Sequence, residues 1–352
     1  MHTGHHKIRL ALAGLLLLAA EPAIQATDQV AKKARTPAGD ADKTPLKSAE
    51  RGLRFLQVDA VKWRNERKCA TCHHGTMTVW ALSEAKAQGY AVKADDLTDM
   101  ARWTKERFKD LDKPRDTRPG WKMVNSPAIY LAVMAQAVPK QQAISAAELK
   151  KIAGHLLRHQ EADGSWAWSS APAMNRPPPF FESDEVVTLL AYLALGPHVP
   201  GDPKAKSAER DARQRAITWL AKHKENDTTQ AAAFRLLKKV RDGESAKVFG
   251  PALQALLRRQ NKDGGWSQLQ GLASDAYATG QTLYLLSLAG VKKERAEIQR
   301  GVAFLASTQN ADGSWPMTRR GHPGVKPGNF IVPITYFGSA WATLGLMRSI
   351  QK

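Results

Sequence analysis

Apolar positions recur with a helical period along most of the chain, and the segments they mark are of two kinds. The first kind is longer and charged on one face, at about 47–58, 94–110, 146–160, 206–223, 247–260 and 294–308. The second is shorter, rich in Ala, Leu and aromatic residues and nearly free of charge, at about 76–88, 126–137, 184–195, 228–240, 275–289 and 337–350. The fourth of these departs from the rule through Arg235, Lys238 and Lys239. A helix polar on one side needs one buried face, whereas a helix apolar all round must be enclosed. The pattern therefore predicts an all-α protein with about six outer and six inner helices alternating along the chain. Pairs repeat roughly every fifty residues, which suits a closed double ring better than an open solenoid. No period of two competes, and the repeat runs through the charged stretch 201–215, so 47–352 reads as one domain.

Three outer segments end in the same phrase: Gln160-Glu-Ala-Asp-Gly-Ser-Trp166, Gln260-Asn-Lys-Asp-Gly-Gly-Trp266 and Gln309-Asn-Ala-Asp-Gly-Ser-Trp315. Asp-Gly marks a turn, because Gly accepts a positive φ without steric cost. The indole and the amide on either side predict a clasp, with each Trp buried and each Gln bonded to nearby backbone.

The run Arg300-Gly-Val-Ala-Phe-Leu-Ala-Ser-Thr-Gln309, continued by Gly313-Ser-Trp315, resembles the QW motif of squalene–hopene cyclases and the terpenoid cyclase/prenyltransferase superfamily. Arg51-Gly-Leu-Arg-Phe-Leu56 and Arg215-Ala-Ile-Thr-Trp-Leu220 resemble its opening. The resemblance spans roughly 47–350 and implies an α/α toroid. Cys69-Ala-Thr-Cys-His-His74, Ser274-Asp-Ala-Tyr-Ala-Thr-Gly280 and the ending Thr335-Tyr-Phe-Gly-Ser-Ala-Trp341 resemble a bacterial subgroup of exported squalene-cyclase-like repeat proteins. Toroids of this type serve as enzymes, subunits and binding proteins, so fold alone does not fix activity.

Composition adds compartment and charge. Lys7 and Arg9 precede an apolar run from Leu10 to Ala20, closed by Ile24-Gln-Ala26, so 1–26 reads as a signal peptide and the protein as periplasmic or otherwise exported. Residues 27–46 lack periodicity and read as a flexible leader. The net charge of +19 is concentrated on stretches such as 204–215 and 235–241. Solvated helix faces account for it, with an anionic membrane surface as the sharper alternative. Nucleic acid is not an expected partner, since no nucleic-acid module is visible.

Four long outer-to-inner links, at 59–75, 111–125, 161–183 and 309–336, gather at one rim, where the inner helices present their positive N-terminal ends. The candidate chemistry lies there. Cys69-Ala-Thr-Cys72-His73 has the spacing of haem c attachment, with two thiols for the vinyl groups and His73 as iron ligand. The only two cysteines of the chain are used, so a Cys69–Cys72 disulfide is the alternative. Met123, Met174 and His322 are candidates for a second axial ligand. Glu182-Ser-Asp-Glu185 resembles the cyclase acid motif, which implies Asp184 as proton donor. Helix capping explains the same residues, and Asp275 opens another inner helix similarly. Aromatic residues recur on the inner segments: Trp80, Tyr130, Tyr192, Phe234, Tyr277, Tyr284 and Trp341. They read as core or as the lining of a central cavity. His155 and His159 sit one turn apart on an outer segment and read as surface residues.

The sequence thus points first to an exported toroid carrying haem c, binding an apolar or elongated ligand in a central cavity and working with a redox partner. The rivals are a cyclase or lyase acting on a polyprenoid or glycan through Asp184, and a structural repeat module with a disulfide.

Overall fold

The computed structural model describes residues 44–68, 70, 72–106, 111, 125–167, 183–223, 227–317 and 331–350, all within one compact unit, Pro37–Lys352. Twelve α-helices fill the described residues, with isolated bridges but no strand. The outer helices are α1 (Pro45–Arg67), α3 (Ala94–Lys105), α5 (Ala146–His159), α7 (Ala208–Lys222), α9 (Ala246–Arg258) and α11 (Ala296–Thr308). The inner helices are α2 (Thr78–Ala87), α4 (Asn125–Ala137), α6 (Asp184–Leu195), α8 (Thr229–Arg241), α10 (Ala276–Leu288) and α12 (Ile331–Ser349). A π-helical turn, Cys72–Met77, leads into α2.

The inner helices from α4 to α12 pack each on the next, the π-helical turn leading into α2 packs on α4, and α12 returns to α2, so the inner ring is closed. The first and last outer helices also meet, since α1 packs on α11 as well as on the inner α12. The fold is an α/α toroid. Burial follows the sequence pattern: α10 is buried from Ala276 to Leu286, whereas α1 buries one stripe through Ala49, Leu53, Leu56 and Ala60. Short polar residues start the helices as expected. Ser183, Ser207, Thr228 and Asp275 cap α6, α7, α8 and α10 by accepting from the backbone N–H three residues on.

The clasps have one geometry. Trp166, Trp266 and Trp315 are fully buried, and their indole N–H groups donate to the carbonyls of Leu156, Leu256 and Leu305 at 2.9, 3.0 and 2.8 Å. Their backbone N–H groups reach inward to Thr188, Thr279 and Ser339. Each Gln donates to its own turn and to the next outer helix: Gln160 to Ala212, Gln260 to Glu297, and Gln309 to Ser48. Arg215, Arg300 and Arg51 complete the joint by donating to the Gln carbonyl oxygens. The Arg that opens each motif is thus the socket for the preceding clasp. Gly164, Gly264 and Gly313 have φ of +95°, +87° and +87°, and an added Cβ would lie 2.6, 2.7 and 2.4 Å from the facing Arg carbonyl oxygen. The last clasp joins residues 261 apart in sequence, Gln309 and Ser48, and seals the ring.

Three expectations are corrected. Helix α1 continues to Arg67 rather than ending near 58, so residues 59–67 are helix and not link. Helix α12 begins at Ile331 rather than near 337. His155 and His159 are buried, not on the surface: both lie on the stripe that carries Ile152 and Leu156, and their rings stack at 4.1 Å. The charges of α8 are matched within the fold, with Arg235 on Glu185, Lys238 on Asp242 and Lys239 on Glu244.

Candidate functional site

The Cys-X-X-Cys-His stretch meets the seam of the ring. Cys69 lies outside the described residues, and of Cys72 only the backbone is described, as the first residue of the π-helical turn. A single wide turn of this kind displaces the following side chains from ordinary helical register and is frequent at functional sites. It turns His73 and His74 inward, to 7% and 0% exposure.

The extension of α1 provides their partners. Asp59 Oδ2 lies 3.0 Å from His74 Nε2, and Nδ1 of His74 meets Nδ1 of His73. Trp63 stacks on His74 at 4.3 Å and presents its edge to His73 at 5.1 Å. Tyr336 of α12 covers the other face of His74 at 3.7 Å. The Tyr336 hydroxyl pairs with Thr78 and donates to the carbonyl of Leu56 at 3.0 Å. Burial lowers the pKa of both histidines. For His73 the neighbouring His74 adds to the effect; for His74 the Asp59 carboxylate opposes it. Burial thus disfavours the charged form of both rings.

The inner aromatic residues converge on the ring centre. Trp80 packs on Trp341, Tyr284 and Tyr130 at 5.3, 5.6 and 6.1 Å, and Tyr130 and Tyr277 pack on Phe337 at 5.8 and 5.5 Å. Trp80, Tyr130, Tyr284 and Trp341 are 0% exposed. A side chain lining a water-sized void would show accessible surface, so these four are packed against their neighbours rather than facing an open chamber. Below them Glu84, fully buried, accepts from the Tyr284 hydroxyl at 2.8 Å and from Arg348 at 2.9 Å, while the Trp80 indole donates to Tyr284. Burial raises the Tyr284 pKa, with the Glu84 charge as the next cause.

The acidic candidates are dispersed. Asp184 is the first residue of α6 and partly exposed; Ser183, not Asp184, is the N-cap. Glu185 is buried and paired with Arg235. Asp275 caps α10 and accepts from Gln268 at 2.8 Å. Tyr192 is enclosed by Arg213 and Lys238 and donates to Asp242 at 2.7 Å. Glu182, His322, Met123 and Met174 lie outside the described residues. Separately, an apolar groove of about 360 Å³ is lined by Val58 and Val61 of α1, Leu82 of α2 and Met100 of α3, with Asp96 and Asp99 at its edge.

Residues that sequence reasoning passed over are Asp59, Trp63, Glu84, Tyr336 and Arg348. A lone Glu in the apolar run of α2 was the available signal for a buried partner.

A type II terpene cyclase from Scytonema, MstE in its apo form, superposes on 87% of this chain and 98% of its own with a TM-score of 0.52 at 14% identity. A single-substitution variant of the same enzyme, also apo, gives 0.53 over the same coverage. The fold is that of the terpene cyclases. Residues 227–352 match the family model of the squalene-hopene cyclase C-terminal domain. The squalene–hopene cyclase of Zymomonas mobilis is 33% identical over 96 residues, which is 27% of this chain and 14% of that enzyme. The enzyme from Bradyrhizobium diazoefficiens is 28% identical over 123 residues, 35% and 18% of the two chains. Drimenyl diphosphate synthase of Streptantibioticus cattleyicolor is 29% identical over 176 residues, 44% of this chain and 31% of its own. The matched stretches thus span less than a third of each of these relatives' length.

Proposed function

We propose that this chain is an exported protein of the terpene cyclase fold that carries covalent haem c at Cys69, Cys72 and His73, binds an apolar or elongated ligand, and works in redox exchange with a partner. The observation that carries this reading is His73, which directly follows the cysteine pair on the π-helical turn and is a buried imidazole. A disulfide would use the cysteines and leave that histidine unexplained. Export is supported by the charged and apolar opening of the sequence, because haem c is attached outside the cytoplasm. When bound, the haem supplies one-electron chemistry. His73 is the residue that would hold its iron, and Trp63 and His74 exclude water from that side.

The packed ring centre weighs against cyclisation there, since Trp80, Tyr284 and Trp341 meet each other where a polyprenoid would lie. An apolar ligand finds surface instead in the groove between α1, α2 and α3.

The test is the full chain produced in a host with haem-maturation machinery. The expected product has a Soret band that survives denaturation and a mass raised by one haem, and Cys72→Ala greatly impairs attachment. Colourless protein of unmodified mass would overturn the haem and return the cysteines to a disulfide.

A further inference from the structure

Helix α9 is apolar on the side it turns to solvent as well as on the side it buries. Inward, Leu256 and Leu257 are enclosed, and Phe249 and Leu253 pack on the core. At 3.6 residues per turn, Val248, Pro251, Ala255 and Arg258 lie along the opposite side. All four are exposed, Val248 to 51%. A second apolar tip stands beside this face. Leu272 is 43% exposed on the turn after the clasp, and its carbonyl accepts from the Asn261 amide at 3.3 Å, which ties that turn to the residues just past the end of α9.

The charges here are of one sign. Between Ser245 and Lys262 the ionisable residues are Lys247, Arg258, Arg259 and Lys262, with no acid. Arg259 pairs with Asp227, whereas the other three are exposed and form no ion pair among the described residues. The first turns of α3, α5, α7 and α11 hold acids, which suit the positive end of a helix, but that of α9 holds Lys247. Pro251 removes the hydrogen bond to the Lys247 carbonyl. An added Cβ at Gly250 would meet nothing within 4 Å, so packing does not require that glycine either. None of these features stabilises a helix that only has to be solvated.

We propose that α9 and the neighbouring turn are the surface by which this protein lies on an anionic lipid bilayer, with Val248, Pro251 and Leu272 toward the acyl boundary and Lys247 and Arg258 toward the phosphates. Interfacial helices bind through buried apolar area together with attraction to anionic headgroups. No helix among the described residues is long and apolar enough to cross a membrane, so the contact is with the surface. A second copy of this chain fits poorly, because two such faces would bring cation against cation. The outward side chains also lack the aromatic anchors on which protein interfaces rely, and a fluid interface needs no matching notch.

The experiment sediments the full-length protein with vesicles of equimolar phosphatidylcholine and phosphatidylglycerol, and with phosphatidylcholine alone. Wild type should bind the mixed vesicles, bind phosphatidylcholine about tenfold more weakly, and be released by high salt. Val248→Asp with Leu272→Asp, and separately Lys247→Gln with Arg258→Gln, should each weaken binding about tenfold. All four positions are exposed, so the melting curves should stay close to wild type. Lys93→Gln with Lys150→Gln removes two exposed cations from α3 and α5 and should leave binding unchanged. Wild type that stays in the supernatant would overturn the proposal, as would equal loss in the Lys93 and Lys150 pair or binding that survives both α9 pairs. A dimer in lipid-free sedimentation velocity that Val248→Asp dissociates would give the face to a second copy instead. Soluble polyglutamate bound through Lys247 and Arg258, with no binding to vesicles, would give it to an acidic protein.

Discussion

Replacing Gln309 with alanine cuts the ring where its two ends meet. The Gln309 amide donates to the Ser48 carbonyl and to the Gly313 carbonyl, both at 2.9 Å, and its own oxygen accepts from Arg51 at 2.6 Å. At 1% exposure, water cannot take the place of the lost donor. The Gly313 carbonyl loses its Gln donor, the Ser48 carbonyl keeps only its helix bond and Arg51 loses its acceptor; with a buried group left unpaired costing about 1–3 kcal/mol, the substitution should cost about 3 kcal/mol. Gln260 makes the same bonds within the chain but is partly exposed, so Gln260→Ala should cost only about 1 kcal/mol. Urea unfolding followed by far-ultraviolet circular dichroism measures the difference, and hydrogen exchange locates it. In Gln309→Ala, the amides of α1 should lose protection before those of α7 or α8. Equal losses of under about 1 kcal/mol in both variants would refute the seal.

Arg348→Met leaves Glu84 buried without its ion pair and should destabilise by about 3–5 kcal/mol; the double variant Glu84→Gln with Arg348→Met should recover part of that in the same denaturation assay. Asp99 is held below its ordinary value of 3.8 by Arg64 and then Arg102, so its contribution is complete above that value and is lost as pH falls through the lowered one. Melting curves in acid should therefore show less loss of stability for Arg64→Gln than for wild type. Asp184→Asn should change stability by about 1 kcal/mol or less, since Ser183 holds the cap; loss of a ligand-dependent signal in that folded variant would restore Asp184 to a direct role.

The architecture was legible because its signals are local. Helical periodicity distinguished buried from half-buried helices, and Asp-Gly between Gln and Trp marked each joint within seven residues. Even the sockets were visible as Arg51, Arg215 and Arg300, although their use was not: an Arg paired with a Gln 258 residues away leaves no mark in a sequence window. The same holds for Glu84 and Arg348. The end of α1 was missed for a different reason. Residues 59–67 are mostly polar, and the apolar stripe of α1 reaches only Ala60 among them before Trp63. Their helix is held by tertiary contacts, with Trp63 on His74 and Arg64 against Asp99. His155 and His159 were misplaced because polarity outweighed position; the stripe through Ile152 and Leu156 pointed inward all along.

Closure and site turn out to share their parts. Asp59 and Trp63 come from the first helix, Tyr336 from the last, and His73 and His74 from the turn that enters the ring. The Tyr336 hydroxyl donates to the carbonyl of Leu56, so the aromatic lid of His74 is itself bonded across the seam. The last clasp holds α1 at Ser48 and Arg51, two to three helical turns from Leu56 and Asp59 on the same rod. An α-helix transmits displacement along its length, so loosening the clasp should free the far end of α1 as well. Gln309→Ala should then expose the amides of 73–78 to exchange along with those of α1, while Gln260→Ala leaves them protected. Protection at 73–78 that survives loss of the clasp would mean that Tyr336, Trp63 and Asp59 hold the site without help from the joint.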